Sequence, residues 1–136
     1  MKKILLILTL TFFAGFAVKA QEDDNDKIRD KMREFIQRRL NLSKNEAERF
    51  TPVFIRYFRE WRQTLRENRN LPDVLERQKR IVDLKIRYRN EFKEIVGEKR
   101  SNDVFKKQDE FVRIIREQAL DRRENRPTRN RSILLE

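Results

Sequence analysis

Apolar residues recur with the period of an α-helix along almost the whole chain after residue 25, and no stretch shows the alternation of a half-buried strand. The strongest segment follows Ser43, where seven apolar residues fall within an arc of about 100° at 3.6 residues per turn. Five of the seven are aromatic. They are Ala47, Phe50, Phe54, Tyr57, Phe58, Trp61 and Leu65. We interpret its aromatic stripe of Phe50, Phe54, Tyr57 and Trp61 as core, because large aromatic side chains are usually buried.

The helical pattern predicts four helices. The first covers about residues 25–40, and the second follows Ser43. Pro72 or Asp73 opens the third helix and Gly97 ends it, since glycine is typical of helix ends. Ser101-Asn102 is expected to cap the fourth helix.

The start of the second helix carries the clearest local signal. Ser43 and Glu46 fit a capping box, in which the serine hydroxyl and the glutamate carboxylate each accept a hydrogen bond from the other residue's backbone N–H. Pro52 lies inside the pattern and lacks a backbone donor, so it is expected to kink this helix or to start a new one together with Thr51.

The third helix carries two apolar stripes about 100° apart, which implies two neighbours. The first stripe contains Val74, Ile81, Tyr88, Phe92 and Ile95, and the second contains Leu75, Val82 and Ile86. Long helices with narrow apolar faces give a thin core for a compact monomer. We therefore predict an all-α fold of four mostly long amphipathic helices in bent hairpins, assembled as a cradle-like homodimer, with a monomeric four-helix bundle as the alternative.

Composition excludes most site chemistry. The chain contains no Cys and no His, which excludes Cys/His metal sites, thiol or Ser–His nucleophiles and disulfides. It has only two glycines, too few for a glycine-rich phosphate loop. No Asp or Glu stands in an apolar setting that would tune its pKa. We expect no enzyme activity, no cofactor and no metal site.

The N-terminus resembles a secretory signal. A short basic start is followed by the apolar run Ile4–Val18, and small residues lead to Ala20, so residues 1–20 are predicted to be cleaved after Ala20. A membrane anchor is the alternative, but the run has about 15 residues where a span needs about 20. The expected location is the periplasm. Residues 21–123 then form one helical domain, and residues 124–136 form a disordered basic tail.

The exported chain stays basic. Removing residues 1–20 removes three lysines and no acid, so the net charge falls from +11 to +8. Export argues against nucleic acid as a partner. The anions available outside the inner membrane are lipid headgroups, lipopolysaccharide phosphates and acidic or unfolded proteins, which a basic surface attracts.

One segment carries a family resemblance. Leu42-Ser43-Lys44-Asn45-Glu46 resembles the LTxxQ motif of the Spy/CpxP group of periplasmic stress proteins. With Phe50, Pro52, Phe54 and Tyr57, it is similar to Bacteroidetes-type relatives labelled sensor of ECF-type sigma factor. The chain departs from the motif by having Ser for Thr and Glu for Gln. Both replacements preserve capping, and we interpret Leu42, Ser43 and Glu46 first as a helix cap.

The resemblance implies an all-α, often dimeric, periplasmic protein of the envelope stress response. Its members act as ATP-independent chaperones for unfolded or misfolded envelope proteins, or they damp a membrane-bound stress sensor. Two alternatives stay open: a dedicated regulator of an ECF sigma factor or two-component pathway, and a protein that binds anionic membrane or lipopolysaccharide.

Client or partner contact is predicted where apolar and basic side chains adjoin, because arginine can hold acidic or aromatic segments without a fixed sequence. Two patches meet this condition. The first contains Ile55, Phe58, Arg59 and Arg62, and the second contains Leu75, Val82, Lys85, Ile86 and Arg89.

Overall fold

The computed structural model describes residues 22–126, and these residues form four α-helices. Helix α1 covers residues 22–39 of the described part, and α2 is Lys44–Glu67. Helix α3 is Val74–Val96, and α4 is Glu98–Glu124. No strand occurs within the described range, which confirms the predicted all-α class.

Two predicted segments lie mainly beyond this range. The signal peptide predicted over residues 1–20 is outside the described residues, as are residues 127–136 of the predicted tail. Helix α4 extends to Glu124, the first residue of that predicted tail. None of the helices in the described part is long and apolar enough to cross a membrane.

The capping box at the start of α2 is confirmed. The Ser43 hydroxyl accepts a hydrogen bond from the Glu46 backbone N–H at 3.1 Å, and the Glu46 carboxylate accepts from the Ser43 N–H at 3.0 Å. Helix α2 is continuous through Pro52, so a new helix start there is wrong. Glu48 and Pro52 are both exposed, and water can therefore solvate the Glu48 carbonyl that proline leaves without a donor.

The predicted start of α3 is confirmed at Asp73. Its carboxylate accepts hydrogen bonds from the backbone N–H groups of Leu75 at 2.9 Å and Glu76 at 3.1 Å. This pattern satisfies two of the donors that a helix N-terminus leaves unpaired.

The predicted cap of α4 is wrong. Gly97 has a φ of +86°, a left-handed conformation that glycine adopts without strain, and α4 begins at the next residue. Ser101 and Asn102 already lie inside the helix, where both side chains donate to the Glu98 carbonyl. The single glycine turns the chain from α3 into α4, so no linker remains for those two residues to cap.

The first three helices run antiparallel to their chain neighbours. On one side of α2, Gln37 of α1 donates to the Thr51 hydroxyl at 3.2 Å, close to the α1–α2 turn. On the other side, Arg56 of α2 pairs with Glu91 of α3 at 2.8 Å. Helices α2 and α3 therefore form an antiparallel hairpin.

Helix α4 completes the packing. Its Phe111 ring lies 5.6 Å from the Phe35 ring of α1, and its Asp109 carboxylate lies 3.6 Å from the Lys85 ammonium of α3. Helix α4 thus contacts both α1 and α3, and all four helices contribute to one core.

The core is mainly aromatic. The Phe92 ring of α3 lies 4.9 Å from the Phe50 ring of α2, and the Tyr57 ring lies 5.3 Å from Tyr88 and 5.5 Å from Phe105. The buried apolar residues are Met32, Ile36, Leu40, Phe50, Phe54, Tyr57, Phe58, Leu84, Tyr88, Phe92, Val96, Val104 and Phe111. This confirms the aromatic stripe of α2 as core, since Phe50, Phe54 and Tyr57 are fully buried and Trp61 is partly buried against the core. Leu65, at the end of the same face, is 39% exposed.

The two ends of the α2–α3 hairpin differ. We call the end that contains residues 40–46 and 96–101 the hairpin base, and the end that contains residues 65–82 the hairpin tip. The last part of α4 also differs from the rest, because residues 115–126 are all exposed. We call residues 115–126 the α4 extension.

Candidate functional site

The hairpin tip contains an open apolar groove with a volume of about 620 Å³. Leu65 of α2 and Ile81 and Val82 of α3 supply its apolar lining, and Arg69 and Arg77 add positive charge. Arg77 also donates to the Leu71 carbonyl in the turn that joins the two helices.

An exposed apolar stripe adjoins this groove. Leu75, Val82 and Ile86 of α3 are 75%, 51% and 41% exposed, and they lie on one face of the helix. We call these three residues the α3 stripe. Val82 also lines the groove, so the two apolar surfaces are continuous. A contiguous exposed apolar surface of this kind is typical of a site that binds another molecule.

The basic members of the predicted second patch are placed differently from its apolar members. Lys85 is half-buried on the side of α3 that faces α4, where its ammonium lies 3.6 Å from Asp109 and 5.8 Å from the centre of the Phe105 ring. Arg89 is half-buried. The structure therefore brings together Leu75, Val82 and Ile86 but turns Lys85 toward α4.

The predicted first patch lies beneath α1. Phe58 is only 5% exposed and packs 5.7 Å from the Trp61 ring, so it belongs to the core and is not an exposed contact residue. Ile55 and Arg62 are half-buried, and Arg59 is exposed. Periodicity along α2 identifies its apolar face but does not show which edge of that face α1 covers.

These residues line a cavity between α1 and α2 with a volume of about 420 Å³, which we call the α1–α2 cavity. The α1 side supplies Glu22, Asn25, Asp26 and Arg29, and the α2 side supplies Ile55, Phe58, Arg59, Arg62 and Arg66. Sequence reasoning missed the α1 residues and Arg66. The spacing of Arg59, Arg62 and Arg66 was a usable signal, because residues three, four and seven apart share a helix face.

Charges in this cavity are unevenly paired. Asp26 on the α1 side is 3.0 Å from the Arg29 guanidinium. Arg62 donates to the Asn25 side chain at 3.2 Å, and its Nε is sheltered from solvent without a hydrogen-bond partner. Within residues 22–126, Arg59, Arg62 and Arg66 form no ion pair.

The motif segment lies at the hairpin base. Leu42 packs against the core, and the Glu46 carboxylate accepts two hydrogen bonds from the Arg100 guanidinium of α4, one of them at 3.1 Å. Arg100 also donates through Nε to the Val96 carbonyl at the end of α3, at 2.9 Å. The hydrogen bonds from Arg100, followed by that from the Ser43 N–H, lower the pKa of Glu46.

Glu46 therefore joins the start of α2 to the α3–α4 corner in addition to capping α2. Sequence reasoning missed Arg100, since the two residues are 54 positions apart and helical periodicity says nothing about pairs between distant helices. This arrangement fastens the base, beside which an open pocket is lined by Glu34, Gln37, Arg38, Asn41, Leu42 and Ala47.

Two buried tyrosines make polar links between helices inside the fold. Tyr57 donates to the buried Gln108 side chain at 2.5 Å, and burial raises the pKa of Tyr57. Tyr88 donates to Glu60 at 2.6 Å; this hydrogen bond lowers the pKa of Glu60, while desolvation raises the pKa of Tyr88 to about 12. These groups tie helices together and lie outside both the groove and the cavity.

Comparisons with known proteins assign no family to this chain. No protein-family model matches this chain, and no curated protein or solved structure matches it. No group of three or more carboxylates in the described part of the chain is arranged to hold a metal ion. The case for function therefore depends on the tip groove, the α3 stripe and the α1–α2 cavity.

Proposed function

We propose that this chain is a periplasmic, non-enzymatic envelope-stress protein that binds unfolded or misfolded proteins without ATP. The observation that carries the proposal is the continuous apolar surface of the tip groove and the α3 stripe, which share Val82. Unfolded proteins expose apolar segments, and burying such segments against this surface would contribute about 25 cal/mol per Å² of apolar area.

Charge favours one class of client. Arg69 and Arg77 lie in the groove beside its apolar residues, and the exported chain carries a net charge of +8. Attraction to acidic segments would raise the encounter rate, and the long arginine side chains can pack on apolar or aromatic groups. The expected clients are unfolded envelope proteins whose apolar segments are flanked by acidic residues.

We further propose a homodimer of cradle-like form. The α4 extension carries Ile115 and Leu120, which are 39% and 51% exposed, and none of its residues is buried. A second copy of the chain would cover these exposed apolar side chains. The neighbours of Leu120 on its face of α4 are Arg116, Glu117, Arg123 and Glu124, so this face carries equal numbers of basic and acidic side chains, which two copies of the chain can pair.

An aggregation assay tests client binding. Purified protein is added at increasing ratios to a chemically denatured client without ATP, at low and at moderate salt. The protein should suppress aggregation near stoichiometric ratios, and Ile86→Ser in the α3 stripe should weaken suppression. Ile28→Ser is the matched control, because Ile28 on α1 is also 41% exposed.

Two outcomes would contradict the chaperone proposal: unchanged aggregation at every ratio, or equal losses for Ile86→Ser and Ile28→Ser. Unchanged aggregation together with saturable binding to one membrane-bound sensor would favour a dedicated regulator of an ECF sigma factor or two-component pathway. Export is tested separately by mass spectrometry of protein recovered from the periplasm, whose first residue should be Gln21.

A further inference from the structure

We propose that the α1–α2 cavity binds a phosphate group, either free or carried by a lipid, between the arginines of α2 and the N-terminal half of α1. The site shares α2 with the proposed client surface, but it faces α1 where that surface faces α3, and its lining carries more charge. Its inner wall is formed by Ile55 and Phe58, and its charged wall is formed by Arg59, Arg62 and Arg66.

The arginine spacing is the first argument. Arg59, Arg62 and Arg66 lie three and four residues apart on α2, so their side chains share one edge of the helix and repel one another. No acidic residue in the described chain pairs with them. A multiply charged anion would relieve the repulsion, and arginine binds phosphate oxygens with two parallel hydrogen bonds.

The fixed orientation of Arg62 is the second argument. Its guanidinium donates to the Asn25 side chain at 3.2 Å, and its Nε is shielded from solvent. An oxyanion in the cavity would therefore bind the terminal guanidinium nitrogens, on a side chain that Asn25 already holds in place.

The acidic residues on the α1 side of the cavity limit the positions that a bound anion can occupy. Asp26 is compensated by Arg29, at 3.0 Å, and Glu22 lies on the same side of the cavity. The phosphate is therefore expected against α2, away from Glu22. Ile55 and Phe58 border that position, so the cavity suits a phosphate attached to an apolar group at least as well as a free phosphate.

Calorimetric titration of the purified protein tests the site. One arm uses inorganic pyrophosphate, and the other uses vesicles of phosphatidylcholine with or without phosphatidylglycerol. Arg62→Gln should weaken binding by about tenfold, the loss expected for charge-assisted hydrogen bonds. Arg62→Lys keeps the charge and should also weaken binding, because lysine lacks the guanidinium fork.

Arg49→Gln is the matched control. It removes the same charge from the same helix, but it lies 13 residues from Arg62, about 20 Å along α2. If Arg62→Gln does not fold, the exposed Arg59→Gln replaces it, with circular dichroism as the check of folding. Binding of pyrophosphate favours a soluble ligand, and binding of phosphatidylglycerol vesicles alone favours a lipid headgroup.

Two results would overturn the proposal. The first is no binding in either arm, including the case in which only acidic peptides bind. The second is an equal loss of affinity for Arg49→Gln and for the cavity variants, which would mean that overall charge and not this cavity attracts the anion.

Discussion

The base and the tip of the α2–α3 hairpin are built from the same two helices, yet the base is closed by contacts with α4 and the tip is open. At the base, Glu46 and Arg100 connect the start of α2 to α4, and the Phe50 and Phe92 rings close the interior. At the tip, Leu65 and Val82 border an open groove. The difference leaves the larger exposed apolar surface at the tip.

Helix α4 accounts for the difference. It starts at the base next to Gly97, and its Val104, Gln108 and Phe111 are buried against the other helices. From Ile115 onward every described residue is exposed, so the extension does not cover the tip. Stability is therefore concentrated in the base and the middle of the hairpin, while the tip and the α4 extension keep exposed apolar surface for partners.

The largest expected effect is the loss of a core ring near the base. Phe92 is fully buried and lies within 6.3 Å of the ring centres of Phe50, Tyr57, Tyr88 and Phe105. Phe92→Ala removes these contacts and leaves a cavity, so the free energy of unfolding should fall by about 3–5 kcal/mol.

Urea unfolding measures the effect of Phe92→Ala, with Leu75→Ala at the tip as the control. Leu75 is 75% exposed, and its truncation should change the free energy of unfolding by less than about 0.5 kcal/mol. Similar losses for the two variants would contradict the division of the hairpin into a stable base and an open tip.

A smaller effect is expected for the buried link between α2 and α4. Tyr57→Phe removes the hydroxyl that donates to Gln108 at 2.5 Å, and it leaves the buried amide oxygen without that donor. The free energy of unfolding should fall by about 1–3 kcal/mol. Adding Gln108→Leu should recover part of this loss, because the unpaired polar group is then gone.

Thermal unfolding of the two single variants and the double variant completes this cycle. Additive losses would show that the Tyr57–Gln108 hydrogen bond contributes nothing beyond the two separate side chains. The sequence did not reveal this pair, since Gln108 lies among charged residues of α4 and its burial depends on where α4 crosses α2.

Local signals made much of the fold predictable. The capping box of α2, the Asp73 cap of α3 and the aromatic face of α2 all depend on residues close in sequence, and each is confirmed. The prediction that Ser101-Asn102 caps α4 was wrong because it gave a possible side-chain cap more weight than Gly97. The left-handed backbone conformation of Gly97 permits the sharp corner between α3 and α4.

The candidate sites were less predictable, because they depend on how separate helices pack. Phe58 looked like an edge residue until α1 covered it, and Lys85 looked exposed until α4 supplied Asp109. The apolar α3 stripe was predictable, since the three residues share a helix face and no later segment of the described chain covers them.

Acid should weaken the base. Hydrogen bonds from Arg100 and from the Ser43 N–H hold the pKa of Glu46 below its ordinary value of 4.5. A carboxyl whose pKa is lowered by folding stabilises the fold above that ordinary value, and the contribution is lost as the pH falls through the folded-state pKa. The urea midpoint should therefore decrease below about pH 4.5.

Glu46→Gln tests the origin of this pH dependence. Glutamine at this position keeps the capping box but not the charge pair with Arg100, so the variant should be less stable at neutral pH and should lose less stability on acidification. Glu98→Gln is the control, because Glu98 is highly exposed and its ion pair with Lys93 is long, at 3.9 Å. If the urea midpoint of Glu46→Gln falls with acidification as much as that of the parent chain, Glu46 is not the source of the pH dependence.

The smallest effect on unfolding is expected at the α4 extension. Leu120 is 51% exposed, so Leu120→Ser should change the free energy of unfolding at low protein concentration by less than about 0.5 kcal/mol. Its effect should appear in self-association, because a second copy of the chain would cover Leu120. Light scattering over a range of concentrations should show a weaker dimer for Leu120→Ser than for the parent chain.

Gln118→Ser is the control for this experiment. Residue 118 lies about 200° around the helix from residue 120, so this substitution should leave association unchanged. The dimer proposal would be contradicted if the parent chain is monomeric at every concentration, or if both variants weaken association equally. In either case a second copy of the chain does not cover the extension, which is then free for another partner.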